Sequence, residues 1–332
     1  MRWLERHWYR ISPLHLLLWP LSVLFAALVA LRQLLYRLNL LRATRLPVPV
    51  IVVGNINVGG TGKTPLVIWL AELLHVHGFK PGIVRRAYGG SARLTQSVAA
   101  DADPRVVGDE AVLLARRCGC PVWIGVQRAA TARALLAAQS DCNVIISDDG
   151  LQHYALERDL EIAVVDGARG FGNGMLLPAG PLREPPSRLN RVDALVINGA
   201  ALFPRELLPS TVPAFEMTFG GRIFYDVLNP HQQAGPGHFA GQRVHAVAAI
   251  GNPQRFFNHL RELGISFVAH PFPDHHAFTA ADFASCGNDS VLMTEKDAVK
   301  CERFCNENFW ALPVDVETDP ALGELILRKL GK

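Results

Sequence analysis

Charge is scarce in this sequence, and almost none of it is net. Asp, Glu, Lys and Arg make up 19% of the 332 residues, and the formal net charge is +3. So even a balance creates no global basic field, which excludes nucleic-acid binding as the organising function. Cysteine is sparse as well: Cys118, Cys120, Cys142, Cys286, Cys301 and Cys305. Their C-x-C and C-x-x-x-C spacings lack the histidine partners of a zinc motif. A reduced, intracellular chain is the simpler reading. There is no internal repeat and no low-complexity tract, which excludes a repeat array.

What is abundant is apolar residue, 49% of the chain. The length suffices for two domains with proper cores. Much of the apolar excess lies in the first forty residues. Ile11–Leu31 carries no formal charge, and the block Leu14–Leu40 is interrupted only by Arg32, Gln33 and Arg37 among its longer polar side chains. Arginines flank it on both sides: Arg2, Arg6 and Arg10 before, then Arg32, Arg37, Arg42 and Arg45. A spanning helix has one basic flank, whereas two fit a segment whose ends both stay at the same face. Trp3, Trp8, Tyr9, Trp19 and Tyr36 suit a headgroup layer. No small-x-small cleavage site follows, so a signal peptide is disfavoured. Residues 1–40 are therefore expected to form a membrane-associated helix lying in one leaflet. A single span and a core helix of a soluble domain are the alternatives.

The apolar run Val48–Val53 leads into Asn57-Val58-Gly59-Gly60-Thr61-Gly62-Lys63-Thr64-Pro65 and then a helix over Leu66–Leu74. That is the layout of a phosphate-binding P-loop. Glycines let backbone N–H groups turn inward around phosphate oxygens, and the helix N-terminus adds positive dipole. Lys63 supplies charge for the β- and γ-phosphates, and Thr64 a hydroxyl for Mg²⁺. Asn57 stands where the usual pattern opens with glycine. Asn tolerates left-handed backbone angles, so the turn survives. The motif specifies a nucleoside triphosphate and Mg²⁺ but not the acceptor.

Beyond it, strands are expected at Val50–Val53, Lys80–Arg85, Val122–Val126, Asn143–Ser147, Ile162–Val165 and Ala194–Asn198, with helices at Glu110–Arg117 and Ala129–Gln139. Short continuous apolar strands alternating with helices predict a parallel sheet covered on both faces. Ligands on such sheets gather at the carboxyl ends of the strands. Pro213–Leu228 predicts two strands around Gly220-Gly221, a hairpin connector. A second βα pattern starts at Val244–Ile250, with a helix over Gln254–Leu263. The expected class is α/β: a P-loop kinase-like parallel-sheet domain over 41–212, a hairpin linker over 213–240 and a smaller α/β domain over 241–332.

Several motifs fall at strand ends. Asp148-Asp149-Gly150 closes an apolar strand. In P-loop enzymes an Asp at the end of a neighbouring strand holds Mg²⁺. Adjacent side chains diverge, so the two have separate tasks; a plain turn signal is the competing reading. Asp109 suits an N-cap and Glu110 a first helical turn, although a carboxylate near a P-loop can also accept a proton. Asp274-His275-His276 reads as a polar loop, or as half of an Asp–His dyad. Arg169 and Arg183 are phosphate-contact candidates, and Arg85–Gly90 is a further basic, glycine-rich loop. Thr294-Glu295-Lys296-Asp297 lacks the Lys-x-Asp spacing of guanine recognition, so nothing favours GTP over ATP.

Together these motifs resemble the tetraacyldisaccharide 4′-kinases, the lipid A 4′-kinase family of bacteria with an outer membrane. The matching pieces are Val53-Gly54-Asn55 with Val58–Pro65, Arg86-x-Tyr88-Gly89-Gly90, Gly108-Asp109-Glu110, Asp148-Asp149-Gly150-x-Gln152, Pro178–Glu184, Asp274-His275 and Thr294–Asp297. They run in family order over nearly the whole chain. Asn57 is a variation that the family usually shows, and Ala87 stands where glycine is expected.

The resemblance implies ATP- and Mg²⁺-dependent phosphorylation of the 4′-hydroxyl of an acylated glucosamine disaccharide 1-phosphate. It implies two lobes with the active site between them. Asp109 becomes the catalytic carboxylate with His275 as its dyad partner, beside Lys63. Residues Asn57, Val58, Gly59, Gly60, Thr61, Gly62, Lys63 and Thr64 bind nucleotide. Thr64, Asp148, Asp149 and Glu184 become metal-organising residues, with Gln152, Arg183, Arg86 and Tyr88 as further candidates. The implied partners are the lipid-linked substrate and the membrane surface, with neither nucleic acid nor an obligate protein partner. The implied location is the cytoplasmic face of the inner membrane. A membrane-associated P-loop switch that controls a protein partner would share the P-loop, the Asp148 strand and the anchor. A soluble small-molecule kinase would need no anchor.

Overall fold

The computed structural model describes residues 7–9, 13–87 and 94–331. Tyr88 and the glycines after it, and Arg2, Trp3, Arg6 and Arg10, lie outside the described residues.

Helix α1 spans Leu14–Arg37. It is long and apolar enough to cross a membrane. Its large side chains Leu16, Leu17, Trp19, Leu24 and Leu28 are exposed, while His15 and Ser22 are buried against the body. An exposed stripe this apolar is not the surface of a core helix. Ser22 Oγ donates to Leu176 O at 3.0 Å and accepts from Ala179 N at 2.9 Å. Trp8 Nε1 donates to Pro178 O at 2.9 Å.

The main body runs β1 (Val50–Gly54), α2 (Lys63–Val76), β2 (Pro81–Arg86), β3 (Gln96–Ser97), α3 (Pro104–Val107), α4 (Asp109–Arg117) and β4 (Val122–Gly125). It continues with α5 (Arg128–Ala138), β5 (Val144–Asp148), β6 (Leu160–Asp166), β7 (Ala194–Asn198) and β8 (Ala214–Gly220). β9 (Phe224–Asp226), β10 (Gln233–Ala234), β11 (Val244–Ala248), α6 (Pro253–Glu262), β12 (Val268–Pro271) and β13 (Ser290–Thr294) follow. α7 (Glu295–Cys301), β14 (Phe309–Leu312), β15 (Asp315–Thr318) and α8 (Pro320–Lys329) complete the chain.

Two sheets organise these elements. The larger has the order β15-β8-β7-β6-β1-β5-β2-β4-β3, parallel from β8 through β4, with antiparallel β15 and β3 at its edges. Its central strands β1, β5, β6 and β7 are buried along their whole length, as their unbroken apolar runs require. One apolar core lies on each face. Leu66, Leu70 and Leu74 of α2 fill one, and Leu135, Leu151 and Leu189 help fill the other. The smaller sheet has the order β10-β9-β14-β13-β11-β12.

The hairpin expected at Gly220-Gly221 does not form. β8 pairs with β7 and β15 in the large sheet, whereas β9 pairs with β10 and β14 in the small one. The two glycines serve a sheet-to-sheet crossover. Gly221 has φ +136°, and a Cβ there would lie 2.5 Å from Pro313 O. Pro313 belongs to the return crossing from β14 to β15. The last segment therefore rejoins the main body: Leu322 and Ile326 of α8 pack into the core around α2. The smaller lobe accordingly comprises β9 through β14, and not the whole stretch after residue 241.

Candidate active site

Parallel pairing fixes where the chemistry gathers. β1 and β5 run in register with Val53 opposite Asp148, so the P-loop and the Asp148-Asp149 pair leave the sheet side by side. The P-loop turns into α2 through Gly62, at φ +93°. A Cβ there would fall 2.3 Å from Asn198 Nδ2, so both conformation and space require glycine. Asn198, at the end of β7, donates from Nδ2 to Thr61 O at 2.8 Å, and Asn55 donates to Thr61 Oγ1 at 3.1 Å.

Asn57 departs from expectation. It is not left-handed; among the described non-glycine residues only Asn39, Asp149 and His275 have positive φ. Its buried side chain instead donates to Gly170 O at 2.8 Å, anchoring the loop from behind. Val58, Gly59, Gly60, Thr61, Gly62, Lys63 and Thr64 line the cleft that opens in front.

That cleft has a volume of about 2110 Å³ and is walled by both lobes and by Phe25, Val29 and Arg32 of α1. Drug-sized pockets are about 300–1,000 Å³, so this one has room for two substrates. Its floor carries alternating charges. Lys63 Nζ lies 3.4 Å from Asp149 Oδ1, and Arg183 donates to both Asp149 oxygens at 3.2 Å. Burial opposes charge on Asp149, but Lys63, Arg183 and Arg128 outweigh it and hold the carboxyl below its ordinary range. Arg128 is buried and donates to the carbonyls of Asp148 and Asp149 at 2.8 and 2.7 Å, fixing the turn.

Asp148 is fully buried, and burial pushes its carboxyl upward despite the ion pair with Arg85. Its Oδ1 has no hydrogen-bond partner among the described residues. A buried, unpartnered carboxylate oxygen beside a P-loop fits a divalent cation, and Asp149 and Thr64, both lining the cleft, offer further oxygen donors. Glu184 lines the same cleft but is held by other side chains. Its oxygens accept from Gln33 Nε2 at 2.8 Å, from Gln152 Nε2 at 3.1 Å and from the Tyr154 hydroxyl, and Arg188 lies 3.8 Å away. Gln152 also donates to Asn55 O at 2.8 Å, so α1 and the segment leading into the P-loop share one partly buried polar chain.

Across the cleft, His275 Nδ1 donates to Asp109 Oδ2 at 3.0 Å. The Asp109 hydrogen bond raises His275 above its ordinary value. Asp109 is opposed by burial yet held low, chiefly by His275 and then Lys296. The left-handed φ of +57° at His275 and +50° at Asp149 is unusual for such residues and sits at the site itself. Asp109 is the first residue of α4, and its side chain turns to His275; Gly108 precedes it without a side-chain cap.

The sequence reading missed a second bridge between the lobes. Lys296, one residue into α7, lies 2.8 Å from Glu110 and 3.4 Å from Asp274. Arg85 holds the same Glu110 from the β2 end. Arg169 donates to Gly251 O at 2.7 Å and is thus a lobe contact, while Arg183 is taken up by Asp149. Arg86 is exposed at the cleft mouth.

A P-loop opening on paired aspartates, with a carboxylate from the same lobe paired across the cleft with an imidazole from the second, defines a P-loop phosphotransferase. The sequence model of LpxK, tetraacyldisaccharide-1-P 4'-kinase, matches residues 14–331, and the chain belongs to that family. It is 54% identical over 329 residues to the tetraacyldisaccharide 4'-kinase of Methylobacillus flagellatus, covering 99% of this chain and 96% of that protein. It is 50% identical over 326 residues to the protein of the same name from Nitrosococcus oceani, covering 98% and 93%. The crystal structure of "apo" form LpxK from Aquifex aeolicus in complex with ATP superposes with a TM-score of 0.80 at 31% identity, covering 96% of this chain and 99% of that one.

Proposed function

We propose that this chain transfers the γ-phosphoryl group of ATP to the 4′-hydroxyl of a tetraacylated glucosamine disaccharide 1-phosphate, giving the 1,4′-bisphosphate and ADP. The observation that carries the reading is the Asp109–His275 pair, Oδ2 to Nδ1 at 3.0 Å, inside a cleft that also contains the P-loop.

A sugar hydroxyl is a weak acid, but a loose phosphoryl-transfer transition state needs little push from the nucleophile. Asp109, ionised at neutral pH because its carboxyl is held low, orients that hydroxyl and accepts its proton late. His275 fixes the orientation of the carboxylate through Nδ1–H until the proton arrives. Lys63 leaves Asp149 to neutralise the γ-phosphate, and the Gly59–Gly62 N–H groups cradle the phosphates. Asp148, Asp149 and Thr64 are the residues that would hold Mg²⁺, which when bound draws negative charge from the phosphate oxygens. Lobe closure assembles the dyad and excludes water, limiting futile hydrolysis.

The exposed apolar stripe of α1 supports association with the membrane at its cytoplasmic face, where ATP is available. Phe25, Val29 and Arg32 on the cleft side of the same helix bring acyl chains and a phosphate within reach. Burial, then Arg128, Arg32 and Arg158, push His153 down to about 4, a mark of the cationic field at this mouth.

The test is transfer of labelled γ-phosphate from ATP to the tetraacylated disaccharide 1-phosphate in detergent micelles, with Lys63→Ala as control. Labelled lipid that disappears in the variant is the expected result. Nucleotide binding without labelled lipid would overturn it in favour of a P-loop switch.

A further inference from the structure

The smaller lobe holds a cluster that the kinase reaction does not use. His245 on β11, His270 on β12 and Cys286 at the end of the 3-10 turn Ala280–Cys286 each offer one donor atom, and these atoms all lie within 4.8 Å of one another. The residues are 16 or more apart in sequence, so no ligand spacing revealed them. β11 and β12 are parallel with His245 opposite Val268 and Val247 opposite His270, which sets both imidazoles on one face of the sheet.

We propose that His245, His270 and Cys286 bind one zinc-class divalent ion that staples the edge strand β12 to the lobe. The two imidazoles face each other, His245 Nδ1 to His270 Nε2, at 2.8 Å. Tetrahedral zinc with bonds near 2.0–2.1 Å holds two nitrogens about 3.3 Å apart, so a side-chain adjustment of about half an ångström admits the ion. The other nitrogen of His245 lies 3.1 Å from Asp289 Oδ2. A carboxylate on the far side of a ligating imidazole fixes its tautomer and raises its basicity, as in established metal sites. His245 and Cys286 are buried and His270 is half-exposed, which leaves a fourth position for water. Two imidazoles and a thiolate select zinc-class metals over Mg²⁺, so the nucleotide's cation does not compete. Binding requires the thiolate, and the Cys286 proton passes to solvent.

The location gives the site a consequence. Among the described residues β12 pairs only with β11 and lies at the sheet edge. Five residues after His270 the chain reaches His275. A metal at His270 would tie down the strand that delivers the dyad histidine.

The experiment uses metal-free full-length protein with excess Mg²⁺ and titrates Co²⁺ as the probe. The expected result is one Co²⁺ per chain with a thiolate-to-cobalt charge-transfer band, and a higher Tm with Zn²⁺. Cys286→Ser should lose the band, and His270→Gln, at a half-exposed position that tolerates the change, should weaken binding by about tenfold or more. Cys305→Ser should change neither. Less than one ion per chain in the wild type, or a charge-transfer band that survives in Cys286→Ser, overturns the proposal and leaves a hydrogen-bonded His–His–Asp chain. This outcome is independent of the kinase assay.

Discussion

His275 Nδ1 and Asp109 Oδ2 meet at 3.0 Å although 166 residues separate them in sequence. The contact joins the loop after β12 to the first turn of α4, so it forms only when the two lobes adopt one arrangement. Asp109→Asn keeps the side-chain shape but removes the proton acceptor. Turnover should fall about 10²–10⁴-fold, the usual contribution of a positioned acid–base group. ATP affinity, measured by nucleotide titration, should stay within about twofold, because the P-loop is untouched. Near-normal turnover would return Asp109 to the role of an ordinary residue at a helix start.

The same pair sets a pH dependence. His275 is raised by its hydrogen bond to Asp109, so its contribution to stability is fully present below the unfolded histidine value of about 6.5 and is lost as pH rises through the folded value. Asp109 is lowered, so its contribution is present above about 3.9 and is lost only as pH falls through its depressed value. Between these limits both groups are charged and the lobe contact is strongest. The Tm difference between wild type and His275→Gln should therefore shrink as pH is raised from about 6 to about 9. A difference that grows over that range would show that the histidine is not protonated in the contact.

Glu184 and Asp149, grouped together by the sequence, have different neighbours. Glu184 accepts from Gln33, Gln152 and Tyr154, whereas Asp149 faces Lys63 at the P-loop. Asp149→Asn should be accommodated by the backbone, since Asn tolerates the left-handed φ of +50°. It should raise the Mg²⁺ concentration for half-maximal turnover by more than about tenfold. Glu184→Gln should leave that concentration within about twofold and lower Tm instead, because Gln cannot accept from three donors as a carboxylate does. Activity measured across a Mg²⁺ series decides between them.

How much was legible in advance depends on whether a feature is local. The strand–turn–helix around Gly62-Lys63-Thr64 and the apolar strand ending at Asp148 are contiguous; the strand formed within one residue of expectation, and the helix runs three residues further at its start and two at its end. Arg85, Glu110 and Lys296 were not recognised together, because each has an adequate local reading as strand-end charge or helix first turn. Only the fold sets Lys296 2.8 Å from Glu110. The alternation across Gly220-Gly221 is equally compatible with a hairpin and with two strands sent to different sheets. The return of β15 beside β8 decided it, and no local pattern encodes that. Asn57 was understood as a backbone substitute for glycine, but its partner Gly170 is 113 residues away.

That partner makes Asn57→Gly an informative change. It restores the common P-loop residue but removes the donor to Gly170 O, leaving a carbonyl without its partner. The expected cost is about 1–3 kcal/mol in chemical denaturation. If the residue served only to permit a left-handed turn, glycine would be neutral or better.

Gly251 tests whether lobe closure is required. Its backbone meets the P-loop: a Cβ at Gly251 would lie 2.9 Å from Gly60 N and 3.2 Å from Gly60 Cα. These are main-chain atoms of a constrained turn, so they cannot move aside as a flexible side chain would. Gly251 carries no left-handed φ, so alanine adds no backbone strain and acts only as a wedge between the lobes. Separation by even an ångström would weaken the Asp109–His275 contact and let water reach the phosphates. Gly251→Ala should cut lipid phosphorylation about 10²-fold, the effect of a misplacement of that size. The share of ATP hydrolysed without transfer should rise. Gly235→Ala, where a Cβ meets nothing within 4 Å, is the matched control and should retain wild-type activity. Full coupling and full activity in Gly251→Ala would mean that transfer proceeds without the close approach of Gly60 and Gly251.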